Sequence, residues 1–239
     1  MDNAGYVTLT RQSGLMREMQ AVAHNIANLA TTGYRREGLI FAEHVKRLED
    51  GAASLSMATA SARHTWDLQG TLEATGGPFD MAIEGEGFFL LETPEGERLT
   101  RAGAFRPNEA GELVNPDGFR LLDAGGAPVF VPPDARGYGL AADGTLSADG
   151  APVAQIGLVR PVDPLTLQRA AGVLFRVEGG IEPAEEARVV QGHLEASNVQ
   201  PVTEIARMVE VQRAYELGQT FLDREDERIR SVVQTLGRS

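Results

Sequence analysis

Histidine and cysteine, which often serve in catalysis and metal binding, are scarce in this chain. The four histidines, His24, His44, His64 and His193, form no H-x-x-x-H or H-E-x-x-H pair, so no local spacing of metal ligands is present. The chain contains no cysteine, which excludes thiol catalysis, cysteine-ligated metals and disulfides. We therefore expect no metal, no cofactor and no catalytic residue.

Two groups of carboxylates have some likeness to known sites. Glu84 and Glu86 flank Gly85 and resemble a glycosidase pair, but strand and turn positions favour solvated carboxylates. Residues 143–150 carry two Asp-Gly dipeptides but lack the spacing and the closing Glu of a calcium loop. Two turns around a short strand explain this segment better. The sequence thus argues against an enzyme, and a secreted enzyme with a β-domain is kept as the rival class.

Two asparagine-containing clusters are harder to explain by packing alone. Asn25 and Asn28 lie three residues apart on one face of a helical segment, although Asn prefers caps and turns. A second cluster, Ser197 and Asn198, lies just before a second helical segment. Either these side chains bond to a neighbouring backbone, or they cap helix ends.

The elements that position these clusters are helices at the two ends of the chain. No proline precedes Pro78 and none follows Pro201, and proline interrupts helices. The sequence predicts one helix from about Tyr6 to Ala30, with Gly33 as its stop, and a second from Pro201 to Leu236.

Both predicted helices carry an apolar stripe at alternating three- and four-residue spacing, the pattern of helices that pair in coiled coils. The N-terminal stripe comprises Leu15, Met19, Val22, Ile26 and Leu29. The C-terminal stripe comprises Met208, Val211, Tyr215, Gly218, Leu222, Glu225, Ile229, Val232 and Leu236. These stripes predict a coiled-coil-like helical domain that also meets partner helices.

Between the helices the pattern changes to short strands and turns. Residues 79–84 alternate with period two, and turn signals then recur roughly every ten residues, as in a compact antiparallel β-domain. The predicted fold class is α+β, with discontinuous terminal helices, a central all-β domain and extended arms. The predicted divisions are an N-terminal helix (1–34), an extended arm with a short helix near Ala42–Leu48 (35–70), the β-domain (71–190), and the C-terminal helix with its approach segment (191–239).

The charge and hydropathy of the chain argue against nucleic acid and membranes as partners. The net charge of −12 argues against nucleic acid, which is bound by clustered Lys and Arg. No apolar run approaches the roughly 20 residues of a membrane helix, so no membrane insertion is expected. The first residues have neither a basic region nor a following apolar stretch, so no cleavable signal peptide is expected.

The asparagine clusters resemble signatures of the flagellar rod, hook and hook-associated axial proteins of bacteria. In that family an N-terminal helix ends in N-N-[IL]-A-N-x-x-T-x-G-[FY], and residues 24–34 here are HNIANLATTGY, with His24 in place of the first Asn and one residue shifted before the glycine. Residues 192–199 resemble the family's G-x-L-E-x-S-N-V. Further matching segments are 69–72, 79–89 and 100–105. The resemblance covers nearly the whole chain, in order.

Within the family, the short segment 34–66 and residues 125–132 and 142–147 resemble proximal-rod members, with distal-rod members as the alternative. The resemblance implies a structural subunit of the basal-body rod that polymerises through its terminal helices into the periplasmic drive shaft for motility. It implies partners among its own copies and other rod proteins, and passage through the flagellar type III export apparatus. The residues implied in assembly are Met19, Val22, Asn25, Ile26, Asn28, Ser197, Asn198, Met208, Val211, Gln212, Tyr215, Leu222, Ile229, Val232 and Leu236.

Overall fold

A computed structural model describes the backbone of residues 2–46 and 55–237 and the side chains of residues 7–40 and 64–237. It contains two compact units. The helical unit comprises Met1–Leu29, Arg36–Trp66 and Val199–Ser239, and the β unit comprises Ala30–Arg35 and Asp67–Asn198. The α+β class is confirmed, because two terminal helices enclose a β-rich region in sequence. Coiled-coil pairing and the four predicted divisions stay predictions.

The helical unit contains two helices and a hairpin. The helices are α1 (Asp2–Ala27) and α2 (Pro201–Leu236), and the antiparallel strands are β1 (Glu37–Lys46) and β2 (Leu55–Thr65). Pro201 opens α2 after an extended Gln200, where its missing N–H costs nothing. Both strands and α2 contact α1. Within the described residues, neither helix is long and apolar enough to cross a membrane.

Three local predictions for the helical unit need correction. The first helix runs from Asp2 to Ala27 rather than from Tyr6 to Ala30, so Gly33 is not its stop. The short helix predicted near Ala42–Leu48 is wrong for residues 42–46, which belong to β1, and residues 47 and 48 lie outside the described residues. The prediction followed local composition, whereas the pairing of β1 with residues 55–65 is a tertiary contact that overrides it.

The β unit is built from short strands. They are β3 (Leu72–Ala74), β4 (Met81–Glu84), β5 (Phe88–Thr93), β6 (Gly96–Thr100), β7 (Arg106–Pro107), β8 (Leu113–Val114), β9 (Arg120–Leu121), β10 (Tyr138–Leu140), β11 (Thr145–Ala148), β12 (Ala151–Gln155), β13 (Leu158–Pro161), β14 (Leu167–Ala171), β15 (Leu174–Val177), β16 (Ile181–Pro183), β17 (Arg188–Gln191) and β18 (His193–Glu195). All recorded pairings are antiparallel. The largest sheet runs β14-β15-β6-β5-β9-β8-β7, and β13 pairs with β5 and β16.

Strand β5 is the centre of the core. Phe89 and Leu91 point into one buried cluster, and Phe88 and Leu90 point into a second, because successive side chains of a strand alternate between faces. Both faces of β5 are therefore covered, as its continuous apolar sequence indicates.

The Asp-Gly segment that resembled a calcium loop forms the two predicted turns. Strand β11 lies between Asp143-Gly144 and Asp149-Gly150. In the second turn Ala148 pairs with Ala151, and Asp149 and Gly150 have φ of 50° and 84°. Positive φ at both central residues is the geometry that tight hairpins favour. Among the described residues, no group of three or more His, Cys, Asp or Glu side chains could hold a metal ion.

Candidate assembly interface

Helices α1 and α2 run antiparallel within the helical unit. The Gln12 Nε2 donates to the Tyr215 carbonyl at 2.9 Å, and the Arg207 Nε donates to Glu18 at 2.7 Å. Towards the other end of the pair, Asn25 on α1 meets Glu204 on α2. Residues later in α1 therefore contact residues earlier in α2, as expected for an antiparallel pair.

The apolar stripe of α2 divides into two parts. From Met208 to Glu225 its members are buried or half-buried, with Val211 only 2% exposed. Ile229, Val232 and Leu236 are 56%, 50% and 70% exposed. The α1 stripe is buried at Val22 and half-buried at its other members. The stripe therefore extends beyond the region that is covered within one chain.

Gly218 lets the two helices approach closely. A Cβ at this position would lie 2.3 Å from the Gln12 Nε2, so a larger side chain would displace Gln12 from its bond to Tyr215. The Gln12 Oε1 is buried and has no hydrogen-bond partner among the described residues.

A buried polar network joins α1, α2 and the hairpin. The Asn25 Nδ2 donates to the Glu37 carbonyl at 2.8 Å, and the Glu37 N–H donates to the Asn25 Oδ1 at 2.9 Å. The same amide donates to Glu204 at 3.1 Å, and the Arg36 Nε donates to the other Glu204 oxygen at 2.5 Å. Arg36 in turn lies over the Trp66 ring, 5.0 Å from its centroid. Glu204 is fully buried, so its charge depends on these partners.

The asparagines therefore have two different roles in the structure. Asn25 bonds the backbone of another element, whereas the Asn28 Nδ2 donates to the His24 carbonyl at 2.8 Å and closes the end of α1. In the β unit, the Asn198 Nδ2 donates to the Leu68 carbonyl at 2.7 Å, and Ser197 is half-buried beside it in sequence. Backbone bonding and end-capping were the two alternatives left open by the sequence, and each occurs.

The Gly33-Tyr34 end of the N-terminal motif belongs to the β unit. Gly33 has φ of 67°, and a Cβ there would lie 2.3 Å from the Ala102 backbone nitrogen. Its N–H donates to the Glu195 carbonyl at 2.7 Å. Tyr34 is 2% exposed and lies under Arg169, whose guanidinium is 4.5 Å from the ring centroid. Glycine is required here both by conformation and by space.

The remaining motif segments converge on a buried ion cluster in the β unit. The Arg101 Nε donates to Glu195 at 2.7 Å, and the other nitrogens of Arg101 donate to the carbonyls of Ile83, Gly85 and Gly87. The Arg35 Nη2 lies 3.7 Å from the second Glu195 oxygen. Burial lowers the pKa of Arg101 to about 10, an effect that the charge of Glu195 opposes. The cluster fixes the turn between β4 and β5, since it binds three carbonyls there.

Sequence reasoning missed Arg35, Arg36, Arg101, Glu195 and Glu204 as structural centres. One signal was available for Glu204, because it lies four residues before Met208 and extends the α2 stripe by one step. A carboxylate at a stripe position must be paired when it is buried. Glu195 is the Glu of the motif at residues 192–199 and Arg101 lies in the matching segment 100–105, but no spacing marks Arg35 or Arg36.

The predicted assembly residues fall in both units. Thirteen of them lie in the helical unit and two, Ser197 and Asn198, in the β unit. Within the helical unit, Asn25, Val22 and Val211 are buried, and Met19, Ile26, Asn28, Met208, Tyr215 and Leu222 are half-buried. Gln212, Ile229, Val232 and Leu236 are exposed. Their role in assembly stays a prediction.

Comparison with known families defines the class of protein. Residues 82–148 match the family described as "Flagellar hook protein FlgE/F/G D1 domain", and residues 190–235 match "Flagellar basal body rod FlgEFG protein C-terminal". The two matches cover the turn held by Arg101 and most of α2. Both matched families consist of flagellar hook and basal-body rod proteins.

Whole-chain relatives narrow the class further. FlgF of Caulobacter vibrioides is 42% identical, covering 100% of this chain and 99% of the relative, and FlgF of Mesorhizobium japonicum is 34% identical, covering 99% of each. FlgG of Bacillus subtilis is 26% identical over 95% of this chain and 97% of the relative. The chain belongs to the FlgF family of flagellar basal-body rod proteins.

This result confirms the predicted resemblance to flagellar rod proteins, of the FlgF type with FlgG as the alternative. The chain is a structural subunit of the bacterial flagellar basal body and assembles with other rod components. Its relatives are structural proteins and not enzymes, so the rival class of a secreted enzyme is set aside.

Proposed function

We propose that this subunit polymerises through its terminal helices, which pair in the manner of a coiled coil within one chain and continue that pairing between chains. The observation that carries the proposal is the division of the α2 stripe. The stripe is covered from Met208 to Glu225 and exposed at Ile229 and Val232, with no break in its spacing.

The exposed end is costly in an isolated subunit. Full burial of an Ile, Val or Leu side chain contributes roughly 1.5–3 kcal/mol, so a neighbour that covers this end gains several such contributions. The fifteen predicted assembly residues are the proposed interface, with Val22 and Val211 in the paired part and Ile229 and Val232 in the part that meets a neighbour.

The proposed place of action is the proximal rod in the periplasm, between the motor and the more distal parts of the flagellum. We propose export through the flagellar type III apparatus. The absence of cysteine supports this route, because a chain that passes unfolded through a narrow channel and an oxidising compartment cannot form wrong disulfides. Neither nucleic acid nor a membrane is a proposed partner, and no cofactor is needed.

A charge on the exposed stripe tests the proposal. Ile229→Asp should leave the fold of the monomer unchanged, because the side chain is 56% exposed, but should block incorporation into the rod. Ser231→Asp, on the opposite side of the same turn, is the matched control and should incorporate normally. Incorporation is measured by immunoblotting purified basal bodies from a deletion strain that expresses each variant. Normal incorporation and motility of the Ile229→Asp chain would refute the proposed role of the stripe.

A further inference from the structure

An apolar groove lies between α1 and α2 in the helical unit. It has a volume of about 370 Å³ and is lined on the α1 side by Val7 and Leu15 and on the α2 side by Leu217 and Phe221. Leu217 and Phe221 are 73% and 41% exposed, which is high for large apolar side chains beside a concave surface. A groove of this kind between two helices accepts the apolar face of a third helix.

One polar atom of the groove lacks a partner. Gln12 lines the groove and is only 6% exposed, and its Oε1 has no hydrogen-bond partner among the described residues. A buried acceptor without a donor is unfavourable, because it has lost its hydrogen bonds to water and gained none. The ligand that fits is therefore a helix that is apolar on one face and carries a hydrogen-bond donor beside it.

The last turns of α2 have this chemistry but cannot reach the groove of their own chain. Their apolar residues are Ile229, Val232 and Val233, exposed by 56%, 50% and 63%, and Arg230 and Gln234 supply donors. The groove opens at Leu217, and Val232 lies 15 positions further along the same continuous helix, about 22 Å away at 1.5 Å per residue. A second copy is not limited by this spacing, so its α2 end can reach the groove.

We propose that the groove lined by Val7, Leu15, Leu217 and Phe221 receives the α2 end (residues 227–236) of a second copy of this chain. The contact rests on the proposed polymerisation and specifies its geometry. It joins two different surfaces, so each copy has one groove to fill and one helix end to offer. A contact of this kind propagates along a polymer, whereas a contact between two identical helix ends closes after a dimer.

Cysteine cross-linking tests the proposal, because the natural chain has no cysteine. A chain with both Leu217→Cys and Val232→Cys is expressed in a deletion strain, and purified basal bodies are oxidised and analysed on non-reducing gels. Dimers and longer cross-linked species are expected, in about tenfold excess over the control pair Leu217→Cys and Ser231→Cys, because proximity raises the effective concentration of the thiols. The spacing along α2 excludes a cross-link within one chain.

The outcomes separate this proposal from the proposed function. Incorporation of the double variant without cross-linked species overturns the groove contact and leaves the rod role intact. Cross-linking of the Val232→Cys single variant alone indicates end-to-end contact and also overturns it. If the unmodified chain is not found in purified basal bodies, the proposed function itself is refuted.

A second variant keeps the test open if the cysteine pair prevents incorporation. Leu217→Asp places a carboxylate in the groove at a position that is 73% exposed, so the helical dichroism of the monomer should not change. Incorporation should fall about tenfold, which corresponds to about 1.4 kcal/mol of binding free energy. Glu216→Gln, at the neighbouring exposed position, is the matched control. Full incorporation of the Leu217→Asp chain overturns the proposal.

Discussion

Asn25 and Glu204 are 179 positions apart in sequence, and their side chains are hydrogen-bonded at 3.1 Å between the first and last helices. The bond places a fully buried carboxylate where it also meets Arg36 of the hairpin segment. Because Glu204 is 0% exposed, solvent cannot replace a lost partner, so these contacts hold α1, α2 and the hairpin together.

Replacement of Glu204 by glutamine should destabilise the helical unit by about 2–4 kcal/mol, since Arg36 and Asn25 would lose a buried charged acceptor. Trp66 is the only tryptophan and lies 5.0 Å from the Arg36 guanidinium, so its fluorescence during urea unfolding reports on this unit. Glu216→Gln removes an exposed carboxylate from the same helix and should change the stability by less than about 0.5 kcal/mol. Equal unfolding midpoints for the two variants would contradict this account of the network.

Breaking the buried ion cluster of the β unit should lower the free energy of unfolding more than breaking an exposed ion pair does. Glu195→Ala leaves Arg101 and Arg35 buried, with side chains 0% and 5% exposed, and is expected to cost about 3–5 kcal/mol. Glu182→Gln breaks the exposed pair with Arg160 and should cost less than about 1 kcal/mol. Unfolding of the β unit, followed by near-ultraviolet circular dichroism in urea, measures both. A small effect of Glu195→Ala would show that the cluster is not needed for the β4–β5 turn.

Gly33 and Gly76 separate backbone strain from steric clash. Both have positive φ, 67° and 73°, but a Cβ at Gly33 would meet the Ala102 backbone, whereas nothing lies within 4 Å of one at Gly76. Gly76→Ala should cost about 1–2 kcal/mol from strain alone. Gly33→Ala adds a clash with backbone and should cost more than about 3 kcal/mol. The difference between their unfolding free energies is the readout, and equal values would argue against the close approach at Ala102.

The amide hydrogens of the two units should differ in their protection from exchange before assembly. Among the described side chains of the helical unit, the buried apolar ones are Ala21, Val22, Val199 and Val211, whereas the β unit buries phenylalanines and leucines on both faces of β5. Amide hydrogens of α1 and α2 in the monomer should therefore exchange about 100-fold faster than those of β5, and should become protected in assembled rods. Hydrogen exchange with mass spectrometry measures both states. Protection of α1 equal to that of β5 in the monomer would be inconsistent with ordering by neighbours.

The sequence predicted the features that depend on the local spacing of apolar and turn residues. The extent of α2, the strands around Phe89 and Phe175 and the turn at Asp149-Gly150 follow from local rules that act within a few residues. The stripe spacing also predicted which side of α2 is covered, since the exposed positions between Met208 and Leu222 lie off the stripe.

What the sequence could not predict depends on contacts between distant residues. Residues 42–46 form a hairpin strand instead of the predicted short helix, and no local pattern marks the register that pairs Glu37 with Thr65. Arg101 and Glu195 are separated by 94 positions and become partners only after the strands between them have folded. The α2 stripe changes from covered to exposed near Ile229 because of where α1 lies along α2. The periodicity of the sequence does not show that position.

A density map of purified basal bodies would show the helix end in the assembled rod. We expect the chain in the proximal rod, with α1 and α2 paired along the stripe from Met208 to Glu225 and with Ile229 and Val232 buried against a neighbouring subunit. A map that places the chain in the rod but leaves these two side chains facing solvent would contradict the proposed role of the helix end. A map of rods without the chain would contradict the account as a whole.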